Sequence, residues 1–310
     1  MHFERAICAI KSLTFFFILY ATMASIPFDS IAGDNPSDKL TVYVVNYPLK
    51  YFTERIAGDH AIVVFPVPSE GDPAYWMPDA KTIIEYQQAD LILLNGANYA
   101  KWVKKVSLPR SKMVDTSADF KGQYITAEEI TTHSHGPEGK HAHESLAFTT
   151  WIDFDLAAKQ AEAIAKALVR KKPDLRDMFH QNYVALEKDL IALNQMIKQI
   201  VSKKQQQPLI ASHPVYDYFL KRYGLNMKSV HWEPDEMPNP EQWMELRNIL
   251  KEHPAKWMIW EGVPIKECVE KLKSMGINSA VFDPCGNIPD ECDFLTVMKK
   301  NVENLKVVFH

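Results

Sequence analysis

The chain is poor in glycine, with only 11 in 310 residues, and none of them falls into a G-x-G-x-x-G, a phosphate-cradling loop or a G-x-S-x-G elbow. Dinucleotide binding and hydrolase chemistry of the nucleophile-elbow type therefore have no sequence support. An excess of positive charge is missing as well. Lys and Arg total 35 against 39 Asp and Glu, for a net charge of -4, and no basic stripe is left for nucleic acid. The chain also lacks an apolar run of the ~20 residues that a membrane-spanning helix needs. The strongest run, residues 13–26 with Phe15, Phe16 and Phe17, follows Arg5 and Lys11 and precedes Ser30-Ile31-Ala32. Basic, apolar and small segments in that order predict a cleaved export signal over residues 1–32 and a mature protein that works in the periplasm.

Cysteine is scarce, and its four copies form no C-x-x-C pair. A zinc knuckle is not expected. Cys8 leaves with the signal, and Cys285 and Cys292 flank the turn-forming residues Gly286, Pro289 and Asp290. In an oxidising compartment these two are expected to form a disulfide, with Cys268 left over in a helix.

What is present is an alternation of strand-like and helical segments. Residues 40–45 and 61–67 read as strands around a helix at 47–56. A helix at 82–89 then leads into the apolar run Leu91-Ile92-Leu93-Leu94, stopped by Asn95-Gly96. The pattern restarts with strands at 208–211 and 227–232 around a helix at 215–223. Tyr47-Pro48 parallels His213-Pro214, and residues 89–96 parallel residues 255–262. The fold class expected is α/β, with two lobes that each carry a mainly parallel sheet flanked by helices. Residues 33–174 form the first lobe and residues 204–310 the second. Residues 175–203 form a rigid connecting helix, about 40 Å long at 1.5 Å per residue. The ligand cleft lies between the lobes, where strand C-termini face a crevice.

One segment breaks this grammar. His133, His135, His141 and His143 crowd into polar residues 131–145, together with Gly136, Pro137 and Gly139. Such a tract cannot pack as a core and reads as a loop suited to weak capture of Zn²⁺, Cu²⁺ or Ni²⁺.

Several segments, in order, carry a family resemblance. They are Asp72-Pro73 with Pro78, residues 89–96, Trp151-Ile152-Asp153, Ser212-His213-Pro214 through Tyr218-Phe219, Arg222-Tyr223-Gly224-Leu225, and Phe282-Asp283-Pro284. Over nearly the whole mature chain the sequence resembles the extracytoplasmic zinc- and manganese-uptake binding proteins of ABC importers, and the histidine tract resembles the zinc-specific branch. The resemblance implies four metal ligands. Two fall on His213 and Asp283, and the first-lobe pair falls on Ala74 and Thr149, which offer no good donor. Three alternatives stay open. His141 or His143 folds back as a replacement donor, the metal arrives with its own ligands, or the cleft takes something else.

Tyr75 and Trp76 beside Ala74, with Tyr47 and Trp232, suggest an aromatic lining for a metal complex or small organic ligand. His231, Glu233, Asp235 and Glu236 follow a second-lobe strand on the cleft side. Glu261 reads as a structural carboxylate at a strand end. His213 and Asp283 could be imagined as a base and its orienting carboxylate, but no nucleophile accompanies them, and no enzymatic role is expected. The expected function is capture of a transition metal, Zn²⁺ above all, by a monomer that delivers it to the membrane permease of an ABC importer. The alternative is an organic ligand or metal complex in the aromatic cleft.

Overall fold

Short apolar runs such as Leu91–Leu94 and Leu209–Ala211, too short for helices, form the central strands of the two sheets. The structure is a computed structural model, and it describes residues 39–126 and 146–310. The expected signal at 1–32 and His133, His135, His141 and His143 lie outside the described residues. In the first lobe β1 (Leu40–Val44) is followed by α1 (Tyr47–Ala57), β2 (Ala61–Val64), α2 (Ala80–Gln88), β3 (Leu91–Leu94) and β4 (Met113–Asp115). The strands are all parallel, in the order β2-β1-β3-β4. Parallel strands covered by helices on both faces are apolar on both faces, which is why β3 reads Leu-Ile-Leu-Leu without alternation. Helix α1 starts where the Asn46 side chain accepts the Leu49 N–H and Pro48 occupies the first turn.

Two helices follow, α3 (Phe154–Lys171) and α4 (Arg176–Val201). The second lobe comprises β5 (Leu209–Ala211), α5 (Asp217–Tyr223), β6 (Met227–Ser229), α6 (Pro240–Glu252), β7 (Trp257–Trp260), α7 (Lys266–Ser274), β8 (Asn278–Val281) and α8 (Phe294–Val308). Its parallel sheet runs β6-β5-β7-β8, the same order as the first. Helix α4 packs against α1 and α3 on one side and α8 on the other, so one rigid rod touches both halves.

The sheets also share their register. Val44 pairs with Leu93 in the first, and Ala211 with Ile259 in the second. Two residues further on, Asn46 and His213 are therefore equivalent, as are Asn95 and Glu261. The sequence parallel of Tyr47-Pro48 with His213-Pro214 is thus out by one position. The reason is local: α1 begins at Tyr47, immediately after Asn46, whereas α5 begins only at Asp217. Each pair sits where neighbouring strand connections diverge, the switch point at which open parallel sheets bind ligands.

Contacts between the lobes are direct and polar. The Trp151 Nε1–H donates to the Pro284 carbonyl at 2.7 Å, fully buried. Arg222 meets Asp153 at 2.7 Å and Asp155 at 2.9 Å. The Asn287 amide donates to the carbonyls of Pro68, Ser69 and Gly71 at 2.8, 3.1 and 2.8 Å.

Candidate metal centre

Strand β5 is buried along its whole length and delivers Ser212 and then His213 to its C-terminal end. The ladder to the neighbouring chain segment runs past β6, because the Val230 N–H donates to Ala211 O and the Trp232 N–H to Ser212 O. Alternation then turns Trp232 into the core against Trp243 and Trp260, and leaves His231 and Glu233 on the other face. On the far side β7 ends at Trp260 and presents Glu261.

These three elements bring His213, Glu233 and Glu261 together. The His213 Nδ1 lies 3.3 Å from Glu261 Oε1 and 3.8 Å from Glu233 Oε1. Among the described residues this is the one group of three or more His, Cys, Asp or Glu donors whose atoms all lie within 4.8 Å of one another. The His213 Nδ1 is buried and makes no hydrogen bond of its own. Zinc–nitrogen and zinc–oxygen bonds of about 2.1 Å in a tetrahedron separate neighbouring donors by roughly 3.4 Å, close to the spacings here. Burial pushes the Glu261 carboxyl up to about 7. His213 opposes the shift, and Glu233, Asp72 and Asp283 add to it. Burial is the main cause of the rise and the neighbouring carboxylates add to it, so a nearby cation would favour the ionised form.

The other expected ligands behave differently. Asp283 lies near enough to bear on Glu261 but outside the three-residue group. Its Oδ1 accepts the Cys285 N–H at 2.6 Å, and its backbone is held by Asn301 of α8. Ala74 is 1% exposed, its methyl packed into the core. The Thr149 hydroxyl is engaged across the lobes, donating to the Val215 carbonyl at 2.5 Å. Asp72 of the first lobe is exposed, and its Oδ1 accepts the Ala74 N–H at 2.8 Å.

The expected aromatic lining does not assemble. Tyr75 is 61% exposed with the Lys101 ammonium over its ring, Trp76 packs edge-on against Trp102, and Trp232 belongs to the second-lobe core. Tyr47 is buried toward Cys285 and Asp293, and that burial pushes its hydroxyl up to about 12. Among the described residues none of these four rings contacts another. Nor does the expected Cys285–Cys292 disulfide form. Cys285 is buried and Cys292 exposed, both as free thiols. The Cys285 backbone N–H donates to Asp283 Oδ1, and its sulfur lies 4.0 Å from the Asn287 carbonyl. Cys268 is buried in α7, in keeping with its reading as a helix residue.

Glu261 is the functional candidate that the sequence reading set aside. A signal for it existed in the repeat, where Asn95-Gly96 and Glu261-Gly262 end equivalent strands. A charged residue at a switch point, in place of an amide, marks the ligand side.

Against this geometry stand the comparisons with known proteins. The profile of the ZnuA family, zinc-uptake complex component A periplasmic, matches residues 42–308. The high-affinity zinc uptake system protein ZnuA of Bacillus subtilis is 27% identical over 287 residues, which cover 89% of each chain. The zinc-binding lipoprotein AdcA of Streptococcus pneumoniae is 26% identical over 93% of this chain, which spans only 60% of that relative's length. Among solved structures, the metal-dependent lipoprotein YcdH of B. subtilis superposes with a TM-score of 0.74 at 23% identity, covering 88% of this chain and all of that one. The Zn(II)-bound ZnuA-like domain of S. pneumoniae AdcA gives 0.73 at 22% identity, covering 87% and 99%. At these identities the structures establish a shared fold of two parallel-sheet lobes.

Proposed function

The chain belongs to the family of periplasmic components of zinc-uptake complexes, and from that premise we propose that it captures a zinc ion at His213, Glu233 and Glu261 and hands it to the permease of an ABC importer. The observation that carries this reading is the set of three donor atoms with His213 Nδ1 at 3.3 and 3.8 Å from the two carboxylates. One imidazole and two carboxylates neutralise a divalent cation with donors zinc prefers. Zinc here is cargo, so the site must also release it. Coordination by one lobe, open at the 54%-exposed Glu233, suits that need better than a closed structural site. Metal binding and proton loss are coupled, because Glu261 must give up its proton to serve as a ligand.

In this reading residues 1–32 are the export signal, and 33–174 and 204–310 are lobes spaced by the helix at 175–203. The histidines of 131–145 act as auxiliary captors. Asp283 supplies negative potential at the site without closing it, Ala74 and Thr149 contribute no donor, and the protein acts as a monomer.

Calorimetry on tag-free protein tests the proposal. The expected result is one tight equivalent of Zn²⁺, weakened by about 100-fold or more in His213→Ala. Absence of tight uptake by the unaltered protein, or an unchanged affinity in the variant, removes this site.

A further inference from the structure

A second imidazole stands beside the three donors of the proposed site. We propose that His231 is a further zinc donor, and that it gives the site its preference for zinc over harder divalent ions. This rests on His213, Glu233 and Glu261 holding the ion, and adds the residue that selects it.

The backbone carries His231 to this place. The Val230 N–H donates to Ala211 O at 2.9 Å and the Trp232 N–H to Ser212 O at 2.8 Å, so the segment through His231 runs alongside the one that enters His213. Trp232 is turned into the core against Trp243 and Trp260, which leaves His231 and Glu233, two residues apart, on the other face. The His231 carbonyl accepts the Gln242 Nε2–H at 2.8 Å, and Gln242 belongs to the capping box that starts α6. The main chain at His231 is therefore fixed by α6, and the side chain is the part that can turn.

The two imidazole rings stand at the separation a shared ion would set. The centroids of His213 and His231 are 5.5 Å apart, with the ring planes at 79°. A zinc–nitrogen bond of about 2.1 Å puts the ion roughly 3.2 Å from a ring centre, and two such rings in a tetrahedron about 5.2 Å from each other. The His231 nitrogens fall outside the group whose donor atoms all lie within 4.8 Å of one another, so the ring has to turn about its side-chain bonds, with little displacement of its centre. Imidazole nitrogen suits zinc, whereas carboxylate oxygen suits magnesium, calcium and manganese, which favour six oxygens in an octahedron. With His213 as its one nitrogen the donor set is mostly oxygen and refuses such ions poorly. A second imidazole makes it two nitrogens and two carboxylates, a set that fits tetrahedral zinc.

Nitrogen NMR of the imidazole side chains tests this directly on tag-free protein, without metal and with one equivalent of Zn²⁺, the signals being assigned through His213→Gln and His231→Gln. The expected result is that ring nitrogens of both His213 and His231 shift on the first equivalent. In calorimetry, zinc affinity should fall about tenfold or more in His231→Gln, and manganese affinity far less. A shift at His213 with none at His231 overturns the inference and leaves the proposed function standing. Zinc and manganese affinities that fall together in His231→Gln overturn the assigned selectivity. A zinc affinity unchanged in His231→Gln, but lowered in Asp72→Asn or by replacing His133, His135, His141 and His143 with Gln, puts the further donor elsewhere and also overturns the inference. If the His213 ring does not shift, the failure lies in the proposed site itself.

Discussion

The two sheets end differently at the same place. At the first switch point Asn46 and Asn95 are joined at 3.2 Å and buried. Their network continues through Gln160 Nε2, which donates to Asn95 Oδ1 at 3.1 Å and Thr116 Oγ1 at 3.0 Å, and through the Asn95 amide, which donates to Phe148 O at 2.9 Å. At the second, His213 and Glu261 face one another with Glu233 alongside, and the His213 Nδ1 makes no hydrogen bond. Strand order, direction and register are the same. The backbone builds the same switch point in both halves, and two side chains decide whether it becomes a satisfied neutral core or a charged cluster, the one proposed to take a cation.

Exchanging the two chemistries should break the contrast most severely. Asn95→Glu places a carboxylate in the buried amide network with no cation to meet it, and should cost on the order of 3–5 kcal/mol in urea unfolding. A loss below about 1 kcal/mol would mean that the first switch point is as open as the second.

Next is the bridge that holds the halves in register. Asp153 is 8% exposed and paired with Arg222. Burial raises its carboxyl, and Arg222 pulls it back down. Arg222→Ala leaves that carboxylate nearly buried and alone, for an expected loss of about 2–3 kcal/mol by the same measurement. Zinc affinity should stay unchanged, because the proposed metal donors belong to one lobe.

The charged switch point should also show in the pH dependence of the metal-free protein. The Glu261 carboxyl has an ordinary value of 4.5 and is raised to about 7 in the fold. Between those values the folded protein holds a proton that the unfolded chain has released. Stability therefore falls as pH rises through that window and levels off above it, by about 2 kcal/mol after allowance for partial exposure. Glu261→Gln should flatten the slope in thermal melts over pH from about 5 to 8. Zinc affinity should rise over the same window in the unaltered protein, since zinc displaces the proton.

The smallest effect is expected at Thr149→Val. It loses one hydroxyl bond to Val215 O, worth about 1 kcal/mol, with zinc affinity retained. A marked fall in zinc affinity in calorimetry would make Thr149 part of the site.

These contrasts mark how far the sequence could be read. The sheets were legible because strands such as Leu91–Leu94 are uniformly apolar between turn residues, and because the second half repeats the first. His213 was legible from its place after a strand and before Pro214. Glu233 was legible as a cleft residue after its strand, but Glu261 was set aside as structural, since its meeting with His213 depends on β5 and β7 being neighbours. Thr149 has its partner 66 residues away, so its side chain reads as a poor ligand when it is in fact a bolt between lobes. The cysteine pairing was read from the turn residues between Cys285 and Cys292, and in the structure both stand as free thiols.

The bonds from Trp151 to Pro284, from Arg222 to Asp153 and from Asn287 to the 68–71 backbone carry a kinetic consequence. In the proposed reading the halves are already fastened to each other and the cargo is held by only one of them, so unloading needs no hinge to open. The dwell time of the cargo is then set by the substitution of one ligand for another on the ion. Such a rate rises with the concentration of a competing donor and is indifferent to solvent viscosity, and a partner would speed delivery by offering a ligand rather than by prying the lobes apart.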